Sequence, residues 1–432
     1  VRTKSGLSDI KSFWVGQFET TEEVEPNSDF KEPQSISLNS TIEGILENED
    51  IDYYLVEAKK GQRISAEVEG IRLGNSFYDP YLAIMNMERF ELSASDDTAL
   101  LLQDSTTSIV APEDGKYVIL IRESSYTGNG SCRYRLHVGS FPRPIAVYPA
   151  GGQKGTELKV NLIGDPIGKS ELTVKLPESG ASEYKIFSQS DDLLSPSPNK
   201  LRVSNYPNAM EVEPNDNRAQ STIVKAPLPI AFNGIINKDG DHDWFKFTAK
   251  KGQRFIFRAH AKSISSPLDP VVNLFGPDNK QITANDDADN KQDSKIDFTA
   301  AVDGEFTIRI RDHLGKGGDN YIYRIESEPV SPSLALTIPY FGRADYQSRQ
   351  MIYVAQGNRF VTRINAARSN FGGDLVFDAN DLPQGIKLIS HGMNNSINTG
   401  LISFEASQEA PIGGKLINLV ARHANSEKNI SG

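Results

Sequence analysis

GIINKDGDHDWFKFTAKKGQR at 234–254 decides the fold, because GILENEDIDYYLVEAKKGQR at 44–63 carries the same pattern earlier in the chain. Each stretch opens on Gly-Ile, passes an Asp-x-Asp pair, alternates apolar with polar residues and stops at Lys-Lys-Gly-Gln-Arg. Alternation of period two puts apolar and polar side chains on opposite faces of a strand. The Gly at the far end marks a turn.

Working outward, further blocks match at nearly constant spacing. EVEPNS at 23–28 recurs as EVEPND at 211–216, an offset of 188, and Asp52 matches Asp243 at 191. Asp79-Pro80 answers Asp269-Pro270, and Asp96-Asp97 answers Asp286-Asp287, both at 190. Asp104-Ser105 matches Asp293-Ser294, Asp114-Gly115-Lys116-Tyr117 matches Asp303-Gly304-Glu305-Phe306, and Tyr134 pairs with Tyr323, all at 189. An internal repeat is read before any single element, and here it defines two modules, at 21–139 and 209–328. Within them, runs such as Arg254–Ala259, Phe306–Arg311 and Tyr321–Ile325 are short and alternating, with Asp-Gly and Gly-Pro turns between them. That is the signature of an all-β, jelly-roll-like sandwich.

The remaining segments read as further β modules. YPAGGQKGTELKVNLIGDPI at 148–167 starts on a Gly-rich turn and alternates through Leu158, Val160 and Leu162; Leu172–Leu176 follows as another strand. Residues 140–208 are therefore expected to form a small immunoglobulin-like sandwich, and 329–423 a further one. Residues 1–20 read as the end of a truncated preceding module of that kind, and 424–432 as a linker or frayed end.

Composition narrows the function classes. The 432 residues carry a net charge of −11 with no basic stripe, which disfavours nucleic acid. Cys132 is the single cysteine, so neither an intramolecular disulfide nor a thiolate zinc site can form. No run approaches the ~18–20 apolar residues of a membrane-spanning helix. A signal-peptide core is missing from residues 1–15, so export would need a signal upstream.

The ordered series Glu-x-Glu-Pro-Asn-Asp/Ser, Gly-Ile, Asp-x-Asp-Trp/Tyr, Ala-Lys-Lys-Gly-Gln, Asp-Pro, Asp-Asp and Asp-Gly-x-Tyr/Phe resembles the bacterial pre-peptidase C-terminal domain. The linking module resembles the small Ig-like units that alternate with such domains in bacterial surface proteins. The resemblance implies a non-catalytic β-sandwich appended to secreted peptidases and other exported enzymes. It is similar to the collagen-binding modules of clostridial collagenases, whose acidic leading segment holds calcium.

Calcium takes about six to eight oxygen ligands. In an extended segment alternate side chains share a face, so Glu211, Glu213 and Asn215 can converge with Asp216 beside them, and Asp241 and Asp243 alternate likewise. The resemblance makes these six residues the expected Ca2+ ligands of the second module. The first module keeps Glu23, Glu25, Asn27, Asp50 and Asp52 but has Ser28 in place of the last Asp, so weaker binding or one fewer ion is expected there. Asp239-Gly-Asp-His-Asp fails as an EF-hand, having Trp244 at the sixth and Lys250 at the twelfth position. The acidic loop 285–289 with Asp293 reads as solvated turn acids.

No nucleophile elbow, zincin helix or P-loop is present. The six histidines lack ligand spacing, Cys132 reads as a buried hydrophobe, and Trp14, Tyr53, Tyr54, Trp244 and Phe245 read as core. The chain is thus expected to be no enzyme. It reads as a calcium-binding spacer or adhesion region of a secreted, periplasmic or cell-surface bacterial protein, with an extracellular protein or glycan as partner and part of a larger polypeptide. The alternative is a substrate-docking region beside the catalytic domain of a secreted hydrolase.

Overall fold

The computed structural model describes residues 2–3, 6–7, 14–74, 76–339 and 351–432. They form two compact units, one of residues 15–329 and one of 330–432 with the first fourteen residues. The architecture is all-β, interrupted by single 3-10 turns. The reading of residues 1–20 as the end of a preceding module falls largely outside the described residues. Glu19–Glu22 is a strand of the first sandwich, running parallel to Ser40–Ile45.

In the first sandwich one sheet runs Thr106–Val110, Arg63–Glu69, Arg133–Gly139, Ser40–Ile45, Glu19–Glu22, and the facing sheet runs Gln34–Ser35, Ile51–Ala58, Gly115–Glu123, Pro80–Met85, Glu91–Ser95. In the second, the order is Lys295–Thr299, Arg254–His260, Ile322–Pro329, Ala231–Ile235, Asn208–Met210 against Thr222–Ile223, Asp243–Ala249, Gly304–Asp312, Pro270–Phe275, Gln281–Asn285. Strand for strand the two orders are the same. Each core fills from both sheets: Ile42, Val68 and Leu136 meet Tyr54, Val56 and Ile119 in the first. In the second, Phe232, Phe257 and Phe298 meet Phe245, Phe247 and Phe306, with ring centroids 5.0–6.3 Å apart. Burying such rings contributes about 1.5–3 kcal/mol each.

Period two divides the aromatics that sequence reading had placed together in the core. Tyr54 and Phe245 face inward and are buried, whereas Tyr53 and Trp244 lie half-buried on the outer faces, where Trp244 packs 5.0 Å from Phe275. Trp14, also expected in the core, is 43% exposed.

The matched Asp-Ser pairs have a structural role. Asp104 accepts the amides of Gly70 and Ile71 at 3.0 and 2.8 Å, and Asp293 those of Ala261, Lys262 and Ser263 at 2.8–3.0 Å, each closing a 3-10 turn. Ser105 and Ser294 donate to the carbonyls of Pro80 and Pro270.

Between the two sandwiches, residues 146–204 build two three-stranded sheets around Val147, Val160, Leu162, Leu201 and Val203. This small sandwich is clasped on both sides by buried charge. Arg63 pairs with Asp165 at 2.9 Å, and Arg143 with Glu67 at 3.1 Å, while Arg72 donates to Ser197 at 2.6 Å. On the other side Arg202 pairs with Glu326 at 3.2 Å, Arg324 donates to Ser204 at 3.0 Å, and Ala146, Ala150 and Ile163 pack on Ile264 and Ile322. Buried charges are tolerated only when paired, and these pairs fix the junctions.

The C-terminal unit has a four-stranded sheet, Ser333–Thr337, Arg359–Ser369, Thr399–Ala406, Ile386–Ile389, over a core containing Ile364, Leu375, Ile402 and Phe404. Residues 424–432, expected to be a linker or frayed end, instead fold back. Asn425 caps a 3-10 turn at Ser426–Lys428, and Gly432 and Ala421 exchange backbone hydrogen bonds of 2.8 and 3.0 Å.

Candidate metal centre

The leading acidic segment bridges the two sheets of each sandwich. At its start, Glu23 N–H donates to Glu43 O at 3.0 Å and Glu211 N–H to Asn233 O at 2.9 Å, prolonging a parallel ladder by one bond. At its end, Tyr53 N–H donates to Asn27 O at 3.2 Å and Trp244 N–H to Asn215 O at 3.1 Å, reaching the facing sheet. The segment therefore closes one end of the sandwich. Asp52 and Asp243 occupy the first inward positions of their strands, in the same row as Tyr54 and Phe245.

This geometry brings the acids together. Carboxylate oxygens of Glu23, Glu25 and Asp52 lie within 4.8 Å of one another, as do those of Glu211, Glu213 and Asp243. Asp50 and Asp241 are buried nearby, accepting the amides of Glu47 and Asn237 at 3.2 and 2.7 Å. Asp216 lies against Asp241, and Ser28 donates to Asp50 at 3.0 Å in the matching place. Every residue expected from the sequence to be a ligand thus falls in one of two clusters, one per sandwich.

Two tyrosines that the sequence reading matched but gave no role complete the clusters. Tyr134 donates to Asp52 Oδ2 and Tyr323 to Asp243 Oδ2, both at 2.6 Å. Glycine makes room for them: a Cβ on Gly44 would lie 2.4 Å from Tyr134 Oη, and one on Gly234 would lie 2.1 Å from Tyr323 Oη and 2.2 Å from Glu211 Oε2. The repeated Gly-Ile and the repeated Tyr were the available signals.

Within this hydrogen-bonding, the same atoms are left over in both clusters. Asp52 Oδ1, Asn27 Oδ1, Asp243 Oδ1 and Asn215 Oδ1 are buried with no hydrogen-bond partner. An unpaired buried acceptor costs about 1–3 kcal/mol, and native interiors rarely tolerate one. The same acceptors are left over at matching positions in both clusters, a donor set that a cation would fit. Burial drives the Asp243 carboxyl far above the usual range, and the adjacent Glu211 charge adds to this; burial likewise raises Glu211. Asp52 is raised by burial and then by Glu23, and Asp241 by burial and then by Asp216. Acids so placed can be held together by a shared proton or by a cation. The donor set is oxygen throughout, which fits a hard divalent ion such as calcium and not zinc or copper.

Acidic groups at three other places are matched by cations of the chain. His260, Glu326 and Glu328 also converge, but Arg324, Arg202 and Arg258 pair with the two carboxylates at 2.8–3.5 Å. In the 285–293 loop Asp289 pairs with Arg258 and Lys295, and Asp286 lies 3.8 Å from His313. Asp239 accepts Lys316 Nζ at 3.0 Å. His242 is half-buried, its backbone amide donating to Asp241.

Known proteins resemble parts of this chain. A "Probable subtilase-type serine protease" of Deinococcus radiodurans is 33% identical over 99 residues, which is 23% of this chain and 14% of that protein, so the chain spans about one-seventh of its length. Among solved structures, the pre-peptidase C-terminal domain of a Bacillus anthracis collagenase is 17% identical over 25% of this chain and 94% of that one, with a TM-score of 0.20. PliG, a periplasmic inhibitor of g-type lysozyme from Aeromonas hydrophila, is 13% identical over 24% of this chain and 95% of that one, with a TM-score of 0.19. Residues 241–312, which include Asp241, Asp243 and the strands behind them, match the family model of the bacterial pre-peptidase C-terminal domain, and the second sandwich carries a domain of that family.

Proposed function

We propose that this chain is a calcium-binding, non-catalytic region of an exported bacterial protein, made of two pre-peptidase-type sandwiches with Ig-like modules between and after them. One observation carries the reading. Buried oxygens of Asp243 and Asn215, and of their counterparts Asp52 and Asn27, have no partner in the chain and lie beside converging carboxylates. Calcium satisfies both the orphaned acceptors and the mutual repulsion. Because each cluster closes the end of a sandwich at the point where the chain enters it, the ion ties the leading segment to both sheets.

The test is thermal unfolding of the whole chain in millimolar calcium against EDTA. Ligand binding to the folded state at about 100-fold over Kd stabilises by about 2.7 kcal/mol. A rise in Tm with calcium and none with magnesium supports the reading, and identical curves reject it.

A second reading concerns the parent protein. The similarity to a subtilase-type protease favours an accessory region, docking an extracellular protein or glycan substrate, over a free-standing spacer. Among the described residues no helix is long and apolar enough to cross a membrane. The adjoining coding sequence is the test: a peptidase domain supports docking, and further repeats of the same modules support a spacer.

A further inference from the structure

Two differences between the clusters act in the same direction. Where the second has Asp216 against Asp241, the first has Ser28, whose hydroxyl donates to Asp50 Oδ1 at 3.0 Å. Where the second has Phe245, the first has buried Tyr54, whose hydroxyl donates to Glu23 Oε1 at 3.2 Å and touches the Tyr134 hydroxyl. Both Glu23 oxygens are served as a result: Oε1 accepts from Tyr54 at 3.2 Å and Oε2 accepts the Ile45 amide at 2.9 Å, while Tyr134 gives its proton to Asp52 at 2.6 Å.

Glu211 is not served in this way. Its Oε1 accepts the Ile235 amide at 2.9 Å, but its Oε2 meets the Tyr323 hydroxyl at a long 3.5 Å and otherwise faces Asp243. Tyr323 spends its short bond on Asp243. Three hydroxyls (Ser28, Tyr54, Tyr134) therefore attend four carboxylates in the first cluster, while one hydroxyl (Tyr323) attends five in the second. The Asn237 amide adds a donor to Glu213 there, and Lys238 lies 3.7 Å from Asp216. That ion pair is exposed and weakly held.

We infer that the second cluster is the tight, structural calcium site and the first a weaker one that holds its acids by its own hydroxyls and fills at higher calcium, so the chain responds to the ion in two steps. This rests on the calcium reading above. Calcium affinity follows the number of charged ligands and the rigidity of the site. The first cluster has one carboxylate fewer, and its hydroxyl donors occupy lone pairs that a cation needs.

Terbium, a luminescent stand-in for calcium, reports each site on the whole chain. Tyr54 and Tyr134 sensitise it in the first cluster, and Trp244 and Tyr323 in the second. Wild type should fill in two phases separated by about tenfold or more. Asp243→Asn should remove the tight phase and Asp52→Asn the weak one. The double variant S28D/Y54F should move the weak phase toward the tight one. It leaves the second cluster untouched, so its result stands even where Asp243→Asn does not fold. One phase with equal sites, loss of the tight phase in Asp52→Asn, or an unmoved weak phase in S28D/Y54F overturns the inference while sparing the calcium reading. No terbium binding in wild type, with calcorimetric titration of calcium also flat, overturns both.

Discussion

Gly234→Ala puts the cation reading at greatest risk. A methyl carbon there falls 2.1 Å from Tyr323 Oη and 2.2 Å from Glu211 Oε2, so one of the two must move. Tyr323 is buried in the core with its ring edge-on to Phe245 at 6.4 Å, and withdrawing it opens the sandwich. The Glu211 carboxylate is the freer partner and swings out of the cluster. Overpacking of this kind costs about 1–3 kcal/mol. In calcium at about 100-fold over Kd the variant also forfeits about 2.7 kcal/mol of ion stabilisation, so its total loss is about 4–6 kcal/mol, against about 1–3 in EDTA. Gly252→Ala is the control. Its φ of +84° strains an L-residue but no atom lies within 4 Å, so the cost of about 1–2 kcal/mol should be the same in both conditions. Urea unfolding followed by tryptophan fluorescence, with and without calcium, measures all four differences. If Gly234→Ala loses the same amount in calcium as in EDTA, the residues around it do not hold an ion.

Three further outcomes are expected from the same structure. Glu67→Gln leaves buried Arg143 without its carboxylate partner and should cost about 3–5 kcal/mol in urea unfolding, detaching the middle sandwich from the first before either core melts. Asp293→Ala removes the acceptor for three amides and should cost about 1–2 kcal/mol, while the calcium-induced rise in Tm stays at the wild-type value. Burial alone would raise the Glu326 carboxyl, but the His260 hydrogen bond and the Arg324 and Arg202 guanidinia outweigh it and hold the group well below the usual range. A depressed folded-state pKa stabilises above the unfolded value and is lost as pH falls through it. Wild type should therefore lose stability below about pH 4.5, the ordinary carboxylate range, and Glu326→Gln should show a shallower acid slope in pH-dependent melting.

The clustering of the acids was legible because they obey one-dimensional rules. Glu23, Glu25 and Asn27 lie two apart in an extended segment, Asp50 and Asp52 likewise, and the copy 188–191 residues later removed chance as an explanation. Tyr134 and Tyr323 stood in the same repeat, yet nothing local tells what a tyrosine about 80 residues downstream of an aspartate does. Their role depends on strand register across two sheets, which pattern alone does not fix. The misplacement of Trp244 and Tyr53 has a similar cause. Adjacent residues of a strand point to opposite faces, so Asp243 inward requires Trp244 outward, and the aspartates were the better guide to the core than the aromatics. The tail was misread because 424–432 is polar, although its backbone finds partners in Ala421 and His423.

What the two sandwiches keep and what they exchange separates the ion site from its surroundings. On the outer face of the first, Glu69 lies 3.5 Å from His137; in the second the corresponding strands carry His260 and Glu326, again 3.5 Å apart, with the two residue types exchanged between strands. A pair of complementary side chains keeps its contact when its members trade places, because each offers the other the same groups from either strand. The acidic clusters permit no such trade. Their matched acidic positions carry carboxylates in both sandwiches, with Ser28 the one departure. A structural pair needs only complementarity across two strands, whereas the proposed cation site needs carboxylates from several directions, and Asp52 and Asp243 stay acidic while the neighbouring pair has inverted.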